Sequence, residues 1–238
     1  MKNDQFSFLT SSYIHAYFRT FDEENAIKRG AKDAKESESL YRKSLKPLYP
    51  SSETLLQGAL DQADHFLKPY IKLSNIPWKF ATFSLGEFPY PHTHGDMIFL
   101  PEGWTNKENN LDIIYQMSIT LIHEKLHIYQ RMYPLYTHLF LLQVWNMQID
   151  NSVDHFSKGY ENVNVSIRRN PDTNNFIYKD AQNNSILPYF KQMNKNDSHE
   201  ITDKRDHPFE QMAYVLADYI AKVHKPSSKE KEWMNKYL

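Results

Sequence analysis

The sequence predicts an α+β fold: a small mixed sheet packed on a helix pair that carries metal-ligand residue types, with additional helices at the N-terminus. Three observations predict it. Apolar residues recur at helical spacing through 52–70, 111–132 and 207–224. Short apolar or alternating runs bounded by turn residues, IPWKFATFS from Ile76 and MIFLP at 97–101, read as strands. TLIHEKLHIYQR at 120–131 places two histidines and a glutamate in a helix with apolar flanks.

Composition bounds the function classes. The 238 residues are enough for a sizeable core, and 40% hydrophobic with 24% charged residues is an ordinary globular balance. A formal net charge of −1 provides no basic field, which argues against extended nucleic-acid or membrane binding. The chain has no cysteine, so a disulfide framework, a thiol nucleophile and any Cys-ligated zinc site are excluded. The first residues lack the apolar core of a signal peptide, and no run approaches a membrane span. The expected setting is intracellular and soluble.

In chain order, Thr20 and Glu23 have capping-box spacing and open a charged helix that continues to Lys46, where Pro47 and Pro50 break it. Ser51 or Ser52 can cap a second helix, with Leu56, Ala59, Leu60, Ala63, Phe66, Leu67 and Tyr70 on one face. The strand at IPWKFATFS follows, then the turn-rich loop GEFPYPHTHGD with His92 and His94, then the strand MIFLP. MIFLP is placed to be an edge strand that could receive an extended substrate. A helix runs from about Leu111 to Met132 and stops before Pro134; a second runs from about 135 to 148. Residues 150–206 are rich in Asn and Asp, with the strand-like pieces NVNVSI, NFIY and ILPYF and a turn at NPDTNN. The last predicted helix opens at His207-Pro208 and runs to about His224. The charged tail from Pro226 reads as a weak helix or a frayed end.

The spacing in HEKLH has a chemical reason. Residues i and i+4 share a helix face, so His123 and His127 can offer imidazole nitrogens to one metal ion. Glu124, beside that face, can reach water there and act as a general base. Lys125 points roughly opposite the histidines, where its ammonium can snorkel to solvent. A catalytic zinc takes three protein ligands, and the third is sought on another element. Glu210, in the first turn of the helix at HPFEQMAYVLAD, is the first candidate, because Ala213, Ala217 and Ala221 would let that helix approach closely. Glu161 is the fallback; Asp150 and Asp154 are weaker. Asp218 or a nearby acid could orient a ligand histidine. A third histidine at the metzincin spacing would fall on Tyr133, so that pattern is absent.

HEKLH followed downstream by HPFEQMA at 207–213 resembles the gluzincin group of zinc metallopeptidases. The resemblance implies a zincin-like fold, with His123, His127 and Glu210 as ligands of one zinc ion and Glu124 as the base. The Glu-x-x-x-Asp form of several members is absent, because Tyr214 occupies the last position. Residues 1–75 would form an N-terminal helical layer, and 76–238 the zincin-like metal-binding domain, the two packed as one unit. The expectation is a zinc-dependent hydrolase acting on a peptide or protein, with His94, Tyr160 and Tyr214 as candidate substrate contacts. Tyr160, Arg168, His207 and Tyr214 are candidate oxyanion donors. The alternative is a non-catalytic zinc-binding structural or interaction protein that retains the fold.

Overall fold

A computed structural model describes residues 26–27, 30–48, 53–84, 90–108, 110–149 and 208–238, and the backbone of four two-residue strands between 168 and 190. The expected capping pair Thr20 and Glu23 lies outside the described residues, as do Ser51, Ser52 and the NPDTNN turn.

Residues 26–27 are helical, but the expected continuous helix is interrupted: α1 (Ala34–Ser44) starts anew at Asp33, which caps it by accepting from the Glu36 amide. Gly30 just upstream sits at φ 70°, a left-handed turn that the preceding segment cannot cross as helix. Strand β1 (Lys46–Pro47) leads to helix α2 (Thr54–Leu67), whose apolar face is the predicted one: Leu56, Ala59, Leu60, Ala63 and Leu67 are buried. Its N-cap is Glu53, without a side-chain cap; the Glu53 carboxylate instead accepts from Thr105 Oγ1 at 3.1 Å. The short helix α3 (Ile71–Ser74) closes this layer.

The strands β2 (Phe80–Phe83), β3 (His92–His94) and β4 (Met97–Pro101) join β1 in a mixed sheet of order β1-β2-β4-β3. β2 and β4 run parallel, and the β3–β4 hairpin turns at Gly95, whose φ of 59° supplies the left-handed turn. MIFLP is therefore an inner strand, paired on both sides, and among the described strands of this sheet the outer positions belong to β1 and β3. The burial of Met97, Ile98, Phe99 and Leu100 agrees: a run apolar at every position is covered on both faces.

Helix α4 (Leu111–Met132) has the predicted boundaries. Asn110 accepts from the Ile113 amide at its start, and Pro134 begins α5 (Pro134–Leu139) immediately beyond its end. The chain continues through a π-helical turn, Phe140–Val144, and reverses at Asn146, φ 53°, so this helical segment ends earlier than expected. Strand β5 (Gln148–Ile149) pairs with β7 (Tyr178–Lys179) and β7 with β8 (Ser185–Ile186), while β6 (Arg168–Arg169) pairs with β9 (Tyr189–Phe190). Helix α6 is Pro208–Ile220.

The charged tail is a helix, α7 (Ser228–Tyr237), the first of the two expected forms, and it is capped and docked where a weak helix or a frayed end was expected. Ser227 and Glu230 form a reciprocal capping box, and Trp233, Met234 and Leu238 reach the main core. Three apolar side chains among many charges are a weak sequence signal, yet they anchor the helix. Tyr129 of α4 donates to the Tyr237 carbonyl at 2.7 Å, and Trp145 and Tyr219 both donate to the Glu230 carboxylate.

These layers enclose α4 from Leu121 to Gln130. One face packs on α2, where a Cβ on Gly58 would come within 3.2 Å of Ile114 Cδ1; the missing side chain permits that approach. The other face meets α6, and the sheet lies along it through β3 and β4. No described helix is long and apolar enough to cross a membrane.

Enclosure overturns the expected escape of Lys125. Its side chain faces the α2 layer and is fully buried, with Nζ 3.7 Å from the centroid of the Trp78 ring. Trp78 Nε1 donates to Asp64 of α2, so indole and carboxylate together replace solvent around the ammonium. Desolvation lowers the Lys125 pKa to about 8, with Asp64 opposing the shift. Between about 8 and the ordinary lysine value of 10.5 the unfolded chain holds a proton that the folded chain has released, so this residue's contribution to stability rises with pH. Lys125→Met keeps the packing volume and removes the buried charge. It is expected to raise the thermal midpoint near neutral pH, and the gain is expected to shrink as the melt is repeated toward about pH 9.5.

Candidate metal centre

Helical spacing on α4 sets His123 and His127 one turn apart, and the packing of α6 brings Glu210 to the same place. The three side chains are buried, and their donor atoms lie within 4.8 Å of one another. The two imidazole Nε2 atoms are 3.0 Å apart; Glu210 Oε2 is 3.7 Å from His123 Nε2 and 3.4 Å from His127 Nε2. Small residues on α6 contribute as expected: Ala213 and Ala217 are buried in the core it shares with α4.

The tautomer of His127 follows from its partners. The Phe209 carbonyl can only accept, so the Gln130 amide must turn its NH2 there, at 2.8 Å, and present its oxygen to His127 Nδ1 at 3.0 Å. That oxygen can only accept, so Nδ1 carries the proton and Nε2 keeps its lone pair facing Glu210 and His123. Sequence reasoning missed Gln130, although its i+3 position from His127 is a legible signal for an orienting group. The expected acid, Asp218, instead faces His224 at 3.9 Å.

His123 is held differently. Burial and the neighbouring His127 push its pKa down to about 3 against the pull of Glu210, so the imidazole is neutral with a lone pair to offer. Its Nδ1 has no hydrogen-bond partner among the described residues. The Tyr214 ring packs against it, centroids 4.2 Å apart.

The donor set fits a divalent cation. Two neutral imidazole nitrogens and a carboxylate form an N/O triad of the type that borderline metals such as zinc take. With His127 Nε2 unprotonated, the 3.0 Å contact is a hydrogen bond donated by His123 Nε2; a cation that displaces that proton would be shared by both imidazoles and the buried carboxylate. Glu124, which follows His123 in sequence, is also buried, at 5% exposure.

The other sequence candidates fall elsewhere. His94 is not in the triad; it lies in β3 at 3% exposure, against the rings of Tyr41, His92 and Phe99. Burial lowers its pKa well below the usual histidine value, reinforced by His92, Arg131 and Arg42. His92 Nε2 is 2.6 Å from Tyr41 Oη, so both histidines of the predicted loop belong to a strand and its packing. Tyr160, Glu161, Asp150, Asp154 and His207 lie outside the described residues, and Arg168 is described only by its backbone in β6.

Two features extend the site. Arg131 of α4 donates to Thr93 Oγ1 at 2.6 Å and to the Gly95 carbonyl at 3.0 Å, tying the edge strand β3 to the helix of the histidines. Toward the start of α4, on the helical face shared with His123 and Glu124, Trp104 and Lys107 join Ile113, Gln116, Met117 and Thr120 around a cleft of about 350 Å³. No protein-family model, no curated protein and no solved structure matches this chain.

The Gln130 bridge yields a specific expectation. Gln130→Leu keeps the approximate volume but removes the hydrogen bonds that Gln130 makes to His127 Nδ1 and to the Phe209 carbonyl. Affinity for zinc, measured by competition with a chromophoric chelator, is expected to fall about 10- to 100-fold.

Proposed function

We propose that the protein is a zinc-dependent hydrolase, a peptidase of zincin-like architecture, with His123, His127 and Glu210 as the ligands. The observation that carries the reading is the meeting of these three buried donors, with Glu124 next to His123 in sequence and buried as well. A zinc ion at this place supplies a Lewis acid that acidifies water and polarises a carbonyl. Glu124 takes the proton from the attacking water and hands it to the departing amine, so one carboxylate serves first as base and then as acid. His127, fixed by Gln130, and His123, fixed within the α4–α6 interface, hold the site in one geometry. The substrate is a peptide or protein segment, and the cleft lined by Trp104, Gln116 and Thr120 offers it room along the same helix that bears the two histidines.

Two measurements test this. Protein purified without chelator is expected to carry about one zinc per chain, lost or weakened in both His127→Ala and Glu210→Ala. Glu124→Gln is expected to keep that zinc and lose hydrolysis of a peptide library by about 10²- to 10⁴-fold; full activity in a fully loaded variant would reject Glu124 as the base.

The burial of all three donors favours a second reading, a structural zinc in an interaction protein. There, Glu124 is dispensable and chelation unfolds the domain. A hydroxamate inhibitor separates the two: zinc-dependent binding requires an accessible coordination position and supports the enzyme.

A further inference from the structure

The two histidines of the site are supported unequally. His127 is locked through Nδ1 by Gln130, which is itself anchored on the Phe209 carbonyl. His123 has no such lock: its side chain is buried, yet Nδ1 meets no hydrogen-bond partner among the described residues. An imidazole without a partner on its second nitrogen can turn about its own bonds unless packing stops it. Among the described residues two rings pack on it: His127 edge-on at 4.6 Å between centroids, and Tyr214 at 4.2 Å with planes inclined at 44°. Tyr214 is 43% exposed while His123 is 7% exposed, so the phenol ring roofs the imidazole.

Tyr214 stands one helical turn beyond Glu210 on α6, and both therefore project from the same side of that helix. α6 thus offers a carboxylate in one turn and an aromatic face in the next.

We propose that Tyr214 is a positioning residue whose ring holds the His123 imidazole in its ligating orientation, the task that a hydrogen bond performs at His127. The proposal rests on the metal-site reading above and assigns Tyr214 a role in cation binding that is separate from substrate contact. The working part is the ring face, not the hydroxyl. Tyr214→Phe preserves the support and Tyr214→Ala removes it.

The test is zinc affinity by chelator competition for the parent, Tyr214→Phe and Tyr214→Ala, together with the thermal midpoint of each metal-free protein. The Phe variant is expected to match the parent, and the Ala variant to bind zinc at least about tenfold more weakly. Cobalt(II) in place of zinc gives a second readout. Its visible band follows coordination geometry and is expected to shift in Tyr214→Ala but not in Tyr214→Phe. A merely structural role would lower the metal-free midpoint and leave the band in place, which would overturn the proposal. If Tyr214→Ala does not fold, Tyr214→Leu, which covers the site without a flat face, is read in its stead with the same expected loss.

Equal zinc affinity in all variants would reject the role of Tyr214 while leaving the three-ligand site intact. An equal loss in Phe and Ala would assign the effect to the hydroxyl and also reject it. Absence of zinc binding by the parent would remove both the proposal and the metal reading beneath it.

Discussion

A helix enclosed on every side must find a partner for each polar group it carries, and α4 is such a helix from Leu121 to Gln130. His123, Glu124, Lys125, His127 and Gln130 are all buried there. Each solution draws in another element: Trp78 and Asp64 at the lysine, Phe209 at Gln130, Glu210 and Tyr214 at the histidines. The surrounding layers are arranged by what α4 cannot satisfy alone. An ordinary amphipathic helix would have turned these residues to water and left α2 and α6 free to pack elsewhere.

Much of this was legible from the chain. Asn110 and Pro134 bound α4 where the periodicity of its apolar residues starts and stops, and i, i+4 spacing sufficed to put both histidines on one face. Glu210 was readable because Ala213 and Ala217 mark a side of α6 narrow enough for close approach. What was missed has a common cause: it depends on tertiary neighbours. The fate of Lys125 is set by whether α2 covers that face, and nothing within α4 states this. MIFLP reads the same as an edge or an inner strand until its partners are known. Trp233, Met234 and Leu238 are too sparse to reveal that a charged tail docks, because the aromatic floor they meet comes from Tyr129 and Phe140.

The edge strand shows how sheet and helix cooperate. β3 is only three residues long, and its ladder with β4 would fix it weakly. Arg131 adds two hydrogen bonds from α4, so the position of this edge is referenced to the same helix that bears His123 and His127. The guanidinium thus sets a distance between two parts of the molecule that backbone pairing alone would leave loose.

The triad also bears on the chain as a polymer. Its donors come from α4 and α6, which are far apart in sequence, so a shared ion would act as a staple closing a long loop. The closure entropy of that loop is then drawn from the binding free energy of the ion. By mass action, an ion present at about 1,000 times its dissociation constant would add about 4 kcal/mol to folding. The docking of α6 would then follow the supply of metal, and starvation for the ion would be felt first as a loosening of the fold.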